Sequence, residues 1–177
     1  MAAILEVCVD SVESAVHAEK GGATRLELCA DLIIGGTSPD EDLFLMVRER
    51  VNIPIRVLLR PRFGDFLYSA DEFELLRRQV KRFAGLGADG VVIGVLQPDG
   101  MLDEQGMAGL IALAGGCGIT LHRAFDVCRD PFATLAAAKE LGVDTILTSG
   151  QKACCADGGE LLRRLVAQSG GSPQILV

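Results

Sequence analysis

Two cysteines stand at matching points of two β-rich runs. Cys8 lies in ILEVCV, which starts at Ile4, and Cys29 closes RLELC, which starts at Arg25. Adjacent parallel strands lie about 4.8 Å apart, so two thiolates so placed could share one ion. Soft sulfur at low coordination number suits Cu(I). Zinc fits less well, because a structural zinc site takes four ligands and only His122 stands as a further candidate. The plain alternative is two buried thiols packed between charges.

A second set is charged. Glu6, Glu27, Arg60, His122 and Asp126 fall in or just after β-rich runs, with Arg62 and Arg123 close by. Side chains of a strand alternate between its faces. Glu6, Cys8 and Asp10 therefore share a face opposite Leu5, Val7 and Val9. Glu27 and Cys29 oppose Leu26 and Leu28. Arg56, Leu58 and Arg60 share a face, and Thr120, His122, Ala124 and Asp126 are expected to do the same. Gathered at one place, the carboxylates would serve as general base, His122 as acid or base, and Arg60 as an oxyanion clamp. Against this stands an internal salt-bridge network, since buried charges persist only when paired.

The elements that must position these residues alternate. Seven β-rich runs begin at Ile4, Arg25, Ile55, Gly90, Ile119, Asp144 and Gln174. Helical stretches lie between them. Ser11 is a fit N-cap for the first. Phe73, Leu76, Val80 and Phe83 fall at helical spacing between Asp71 and Phe83. Asp130-Pro131 opens another, with Pro at the first helical position. Gly22-Ala23-Thr24, Gly87-Ala88-Asp89 and Gly142-Val143-Asp144 each close a helix and open a strand. Repeated βα units imply an α/β fold with a parallel sheet under helical cover. The charges choose between architectures: an open sheet covered by helices would bury them, whereas a barrel mouth gives them one wet site. A TIM-type (β/α)8 barrel is expected.

The count stops short. There are about six βα units plus a seventh strand, and a closed barrel takes eight of each over about 250 residues. The chain has 177 residues and stops at Val177 inside an apolar run. It reads as a single domain, 1–177, C-terminally incomplete. Strands one and seven would then carry unpaired edges, which invite self-association into a homo-oligomer. Ile146 and Ile175, beside the gap, should be more exposed than their neighbours.

Composition narrows the function. The chain is 49% hydrophobic and 23% charged, with a net charge of -7, a pI near 4.8 and a mean hydropathy of +0.34. That suffices for a core and argues against disorder. An acidic chain repels phosphate backbones and anionic membranes, so neither nucleic acid nor a membrane is an expected partner. The amino terminus lacks a basic region and does not read as a signal peptide. A reducing compartment follows, and the six cysteines read as free thiols. Gly85-Leu-Gly87-Ala-Asp-Gly90 spells GxGxxG but sits at a helix-to-strand junction, the reverse of a dinucleotide site. His17 reads as solvated, and Cys154-Cys155 as surface thiols. In the loop RPRFGDFLYSADEF, Phe66 and Tyr68 are placed to form a lid.

Five segments carry a resemblance. EVCVDSVESA, GGATRLELCADLIIGGTSPD, RPRFGDFLYS, TLHRAFDVCRDPFATL and ILTSGQKA, in order and across the chain, resemble the CutC family of copper homeostasis proteins. The resemblance implies a TIM-type barrel and a cytoplasmic protein linked to copper tolerance or Cu(I) binding. The family usually continues past Val177 with a Gly-rich loop and the last βα elements. Phe63 stands where the family commonly has Gly, and Cys154-Cys155 replace small residues. Two functions are carried forward. One is copper homeostasis with Cu(I) held by Cys8 and Cys29. The other is a barrel enzyme acting on a small anionic substrate through Glu6, Glu27, Arg60, His122 and Asp126.

Overall fold

The structure, a computed structural model, describes residues 4–177. The first three residues of the expected domain 1–177, which also begin the stretch read for an export signal, lie outside the described residues. Seven strands alternate with six helices: β1 Glu6–Val9, α1 Val12–Lys20, β2 Arg25–Leu28, α2 Glu41–Arg48, β3 Ile55–Leu58, α3 Ala70–Gly85, β4 Gly90–Ile93, α4 Glu104–Leu113, β5 Gly118–Leu121, α5 Pro131–Glu140, β6 Thr145–Leu147, α6 Gly159–Ser169 and β7 Gln174–Leu176. Short 3₁₀ turns follow β2 at Leu32–Ile34 and β5 at Arg123–Val127.

Local chemistry sets the helix starts. The Ser11 hydroxyl accepts from Ser14 N at 3.1 Å, and Ser69 with Glu72 closes a capping box on α3; each satisfies backbone donors the first turn leaves open. Asp130 accepts from Phe132 N and Ala133 N, with Pro131 at the head of α5. The Gly of each repeated junction ends its helix at positive φ: 97° at Gly22, 87° at Gly87 and 75° at Gly142. An L side chain is strained there.

All seven strands are parallel and stand in sequence order. Among the described residues, β1 pairs only with β2, and β7 only with β6. The sheet curls nonetheless: Ile4, ahead of β1, lines the same cleft as Gln174, Ile175 and Leu176 of β7. This is the incomplete TIM-like barrel expected from the alternation.

The two faces of the sheet differ in kind. Outward, Leu26, Leu28, Ile55, Val57, Val91, Ile93, Ile119 and Leu121 pack under the helices with Phe44, Leu76, Val80 and Leu110 in one large core. Phe44 of α2 meets Phe83 of α3 edge to face at 5.7 Å. Inward, the apolar contribution is a separate small cluster, Cys29, Leu58 and Val92. Most of the other inward side chains of β1 to β5, among them Glu6, Arg25, Glu27, Arg56 and Thr120, are polar.

Two expectations change. The fifth strand ends at Leu121, so the alternation does not run on through Ala124 and Asp126. His122 stops it: its Nδ1 accepts from Ala124 N at 3.2 Å, and the chain turns into a 3₁₀ coil instead of continuing the ladder. Ile146 is fully buried rather than exposed, because it faces the helices and not the gap.

Candidate functional site

The charged residues read from the sequence lie in three places. Deep on the inner face, Glu6 of β1 pairs with Arg25 of β2, its partner in register. Glu27 follows on β2, opposite Arg56 of β3. Arg56 reaches across β4 to donate to Thr120 of β5, and lies 3.4 Å from the Thr145 hydroxyl of β6. Two glycines make the crossing possible. A Cβ on Gly90 would stand 3.0 Å from Arg56 Cγ, and one on Gly118 2.8 Å from Arg56 Nη2.

Burial dominates the electrostatics of this layer. It pushes the Glu27 carboxyl up to about 7; the charge of Glu6 pushes the same way, while Cys29, Arg25 and Arg56 oppose it. Among the described residues Arg56 has no carboxylate within 4.0 Å, and burial, with the charge of Arg25, lowers its pKa against the pull of Glu6, Asp144 and Glu27. Arg25 Nη2 and Glu27 Oε2 have no hydrogen-bond partner among the described residues.

The strand ends hold the second group. Arg60 donates to the carbonyls of Gly36 and Gly64 at 3.2 and 2.6 Å. His122 projects over the end of β4, where a Cβ on Gly94 would stand 2.6 Å from the ring. Burial and the positive charge of Arg60 push the imidazole down to about 3, so it is neutral. Phe66 lies against both, its centroid 4.7 Å from that of His122 and 5.1 Å from Arg60 Cζ. Along β3 and just past its end the order is Arg56, Leu58, Arg60, and Leu58 belongs to the small apolar cluster with Cys29 and Val92. That cluster separates the two charged groups.

Asp126 is a third place. It accepts from Arg123 Nε at 2.7 Å, the Thr148 hydroxyl at 2.5 Å, Ser149 N at 3.1 Å and Gln151 N at 3.0 Å. Burial alone would raise its pKa, but the bonds from Thr148, Arg123, Ser149 and Gln151 outweigh it and hold the carboxyl below the usual range. It organises the loop after β6.

The thiols belong to the deep layer. Cys8 is opposite Glu27 in register, and Cys29 N donates to Val9 O at 2.9 Å, so the cysteines are diagonal neighbours. Cys8 is exposed, Cys29 is buried, and both are free. Cys29 Sγ lies 3.6 Å from Glu27 Oε1. The neighbouring Cys8 thiol, burial and the Glu27 carboxylate all hold the Cys29 thiol well above its ordinary pKa. Among the described residues, no three His, Cys, Asp or Glu come together to hold a metal. Two thiols alone are too few for a tetrahedral metal, which takes four ligands.

Arg25 and Arg56 complete the deep layer although they were not among the candidates. Arg25 opens β2 level with Glu6, and the glycines heading β4 and β5 signal the space that Arg56 fills. The outlying residues fall as read: His17 and the Cys154-Cys155 pair are exposed. No helix among the described residues is long and apolar enough to cross a membrane.

The sequence model of the CutC family matches residues 3–177. A CutC family protein of Xanthomonas campestris pv. campestris (strain 8004) is 48% identical over 166 residues, which is 94% of this chain and 69% of that protein. The human copper homeostasis protein cutC homolog is 45% identical over 168 residues. The match covers 95% of this chain but only 62% of the human protein. The crystal structure of the putative copper homeostasis protein CutC from Streptococcus agalactiae superposes with a TM-score of 0.90 at 25% identity, covering 98% of this chain and 86% of that one. The curled parallel sheet, its polar inner face and these likenesses agree: the chain belongs to the CutC family.

Proposed function

We propose that this chain takes part in copper homeostasis in the cytoplasm by holding Cu(I) between Cys8 and Cys29. The observation that carries the reading is two free thiols on neighbouring strands, diagonal in register, one exposed and one buried. An ion arriving from solvent meets Cys8 first and is then shielded at Cys29. Relatives bearing the copper homeostasis name support the same reading. Binding converts two thiols and one Cu(I) into a bis-thiolate complex and releases two protons, so affinity rises with pH.

Anaerobic Cu(I) titration of the chain and of its Cys8→Ser, Cys29→Ser double variant tests this. The expected result is one tightly held Cu(I) per chain, lost in the variant. Equal uptake by both would refute the thiol pair as the site.

A further inference from the structure

The mouth of the inner face holds a surplus of hydrogen-bond donors. Arg60 Nε and His122 Nε2 are buried and have no partner among the described residues. Arg60 is 8% exposed and His122 4%. Each terminal nitrogen of Arg60 spends one N–H on a carbonyl, Gly36 or Gly64, and Nε is the nitrogen with no partner among the described residues. His122 Nδ1 accepts from Ala124 N, so the proton of the neutral ring sits on Nε2. Both free N–H groups therefore belong to side chains that lean on one ring, Phe66. Tyr68 Oη, also unpartnered, belongs elsewhere, since Tyr68 lines the cleft between α3 and α4.

The deep layer has unpartnered atoms too, but of both kinds: a donor at Arg25 Nη2 and an acceptor at Glu27 Oε2. One water bridges such a pair. At the mouth there are two donors and no acceptor. A carboxylate accepts from both and brings no proton of its own to place, whereas a water brings two.

We propose that Arg60 and His122 form a binding site for a small monocarboxylate, one carboxylate oxygen taking Arg60 Nε–H and the other His122 Nε2–H. The charges match: one cation, one neutral imidazole, one anion. A phosphate dianion would keep a net negative charge and an oxygen without a donor. Charge-assisted bonds of this kind are the strong ones. The rest of the ligand has apolar surface at Phe66 and Phe63, whose ring lies 5.9 Å from Arg60 Cζ and which is 65% exposed. The loop that carries Phe63, Gly64 and Phe66 packs over Arg60. The inference goes beyond the copper reading and uses neither thiol.

NMR of the chain labelled with 15N at histidine tests it, because the chain has only two histidines and the other, His17, is exposed on α1. Propionate is the probe, with propionamide, phosphate and matched chloride as controls. The expected result is a saturable shift of the His122 Nε2–H resonance with propionate alone. Arg60→Gln should weaken it by at least about tenfold, the scale of one charge-assisted bond. If Arg60→Gln does not fold, the comparison of propionate with propionamide on the unaltered chain decides. No shift with propionate, an equal shift with propionamide, or tighter binding of phosphate would each overturn the proposal.

Discussion

The two charged layers inside the sheet share a face, a curl and a residue vocabulary, yet they are satisfied in opposite ways. The deep layer pairs within itself, Glu6 with Arg25, Arg56 with the threonines and Glu27 with Cys29, and its leftover atoms are one donor, Arg25 Nη2, and one acceptor, Glu27 Oε2. The mouth pair closes on nothing beyond its own backbone, and its two spare donors point to something outside the chain. The difference teaches that buried charge alone does not mark a site. What marks it is a surplus of one hydrogen-bonding sense.

The comparison breaks most sharply at Glu6. If the deep layer is structural, Glu6→Ala leaves Arg25 buried and uncompensated. Chemical denaturation should then show a loss of about 3–5 kcal/mol, the usual penalty for halving a buried pair. A loss below about 1 kcal/mol, as for an exposed pair, would mean that the layer is wet and dispensable.

A second test uses pH on the metal-free chain. Glu27 titrates near 7 in the folded chain against 4.5 for a free carboxyl. Between those values the folded chain holds a proton that the unfolded chain has released. This contribution to stability is therefore full below 4.5 and is lost as pH rises through 7. His122 works the other way, because its folded value of about 3 lies below the ordinary 6.5, so stability is lost as pH falls through that window. Comparing the chain with Glu27→Gln removes the histidine contribution. The variant should gain roughly 3 kcal/mol on the parent from pH 4.5 to above 7, at about 1.4 kcal/mol per pKa unit. Parallel stability curves would show that Glu27 is ionised and paired instead.

The smallest effect sharpens the boundary between stability and function. Cys8 is exposed, so Cys8→Ser should change the unfolding free energy by no more than about 0.5 kcal/mol, as surface changes do. It should nonetheless abolish Cu(I) binding in the titration above. A stable variant that still binds copper fully would move the ligand set away from Cys8.

Alternation of residue types revealed which side chains face inward, because a strand has a strict period of two. It placed Glu6, Glu27, Arg60 and His122 on one face without any coordinates. It could not give depth. Whether Glu27 meets Arg56 or Arg60 depends on the stagger between strands, which no single run encodes. The same alternation failed at Asp126, where one side chain–backbone bond at His122 ended the strand early. The seven strands and the helix caps were legible because each has a local cause. Arg25 and Arg56 were not counted as site residues, because the partners that make them part of the layer lie 19 and 64 residues away along the chain.

Asp126 has a consequence for time as well as shape. Its carboxylate accepts from the backbone of Ser149 and Gln151 in the segment that follows β6. Those amide protons can trade with deuterium only when the carboxylate lets go. Part of a surface loop thus keeps the slow exchange clock of a secondary-structure element, with the side chain of a distant turn standing in for the missing strand partner.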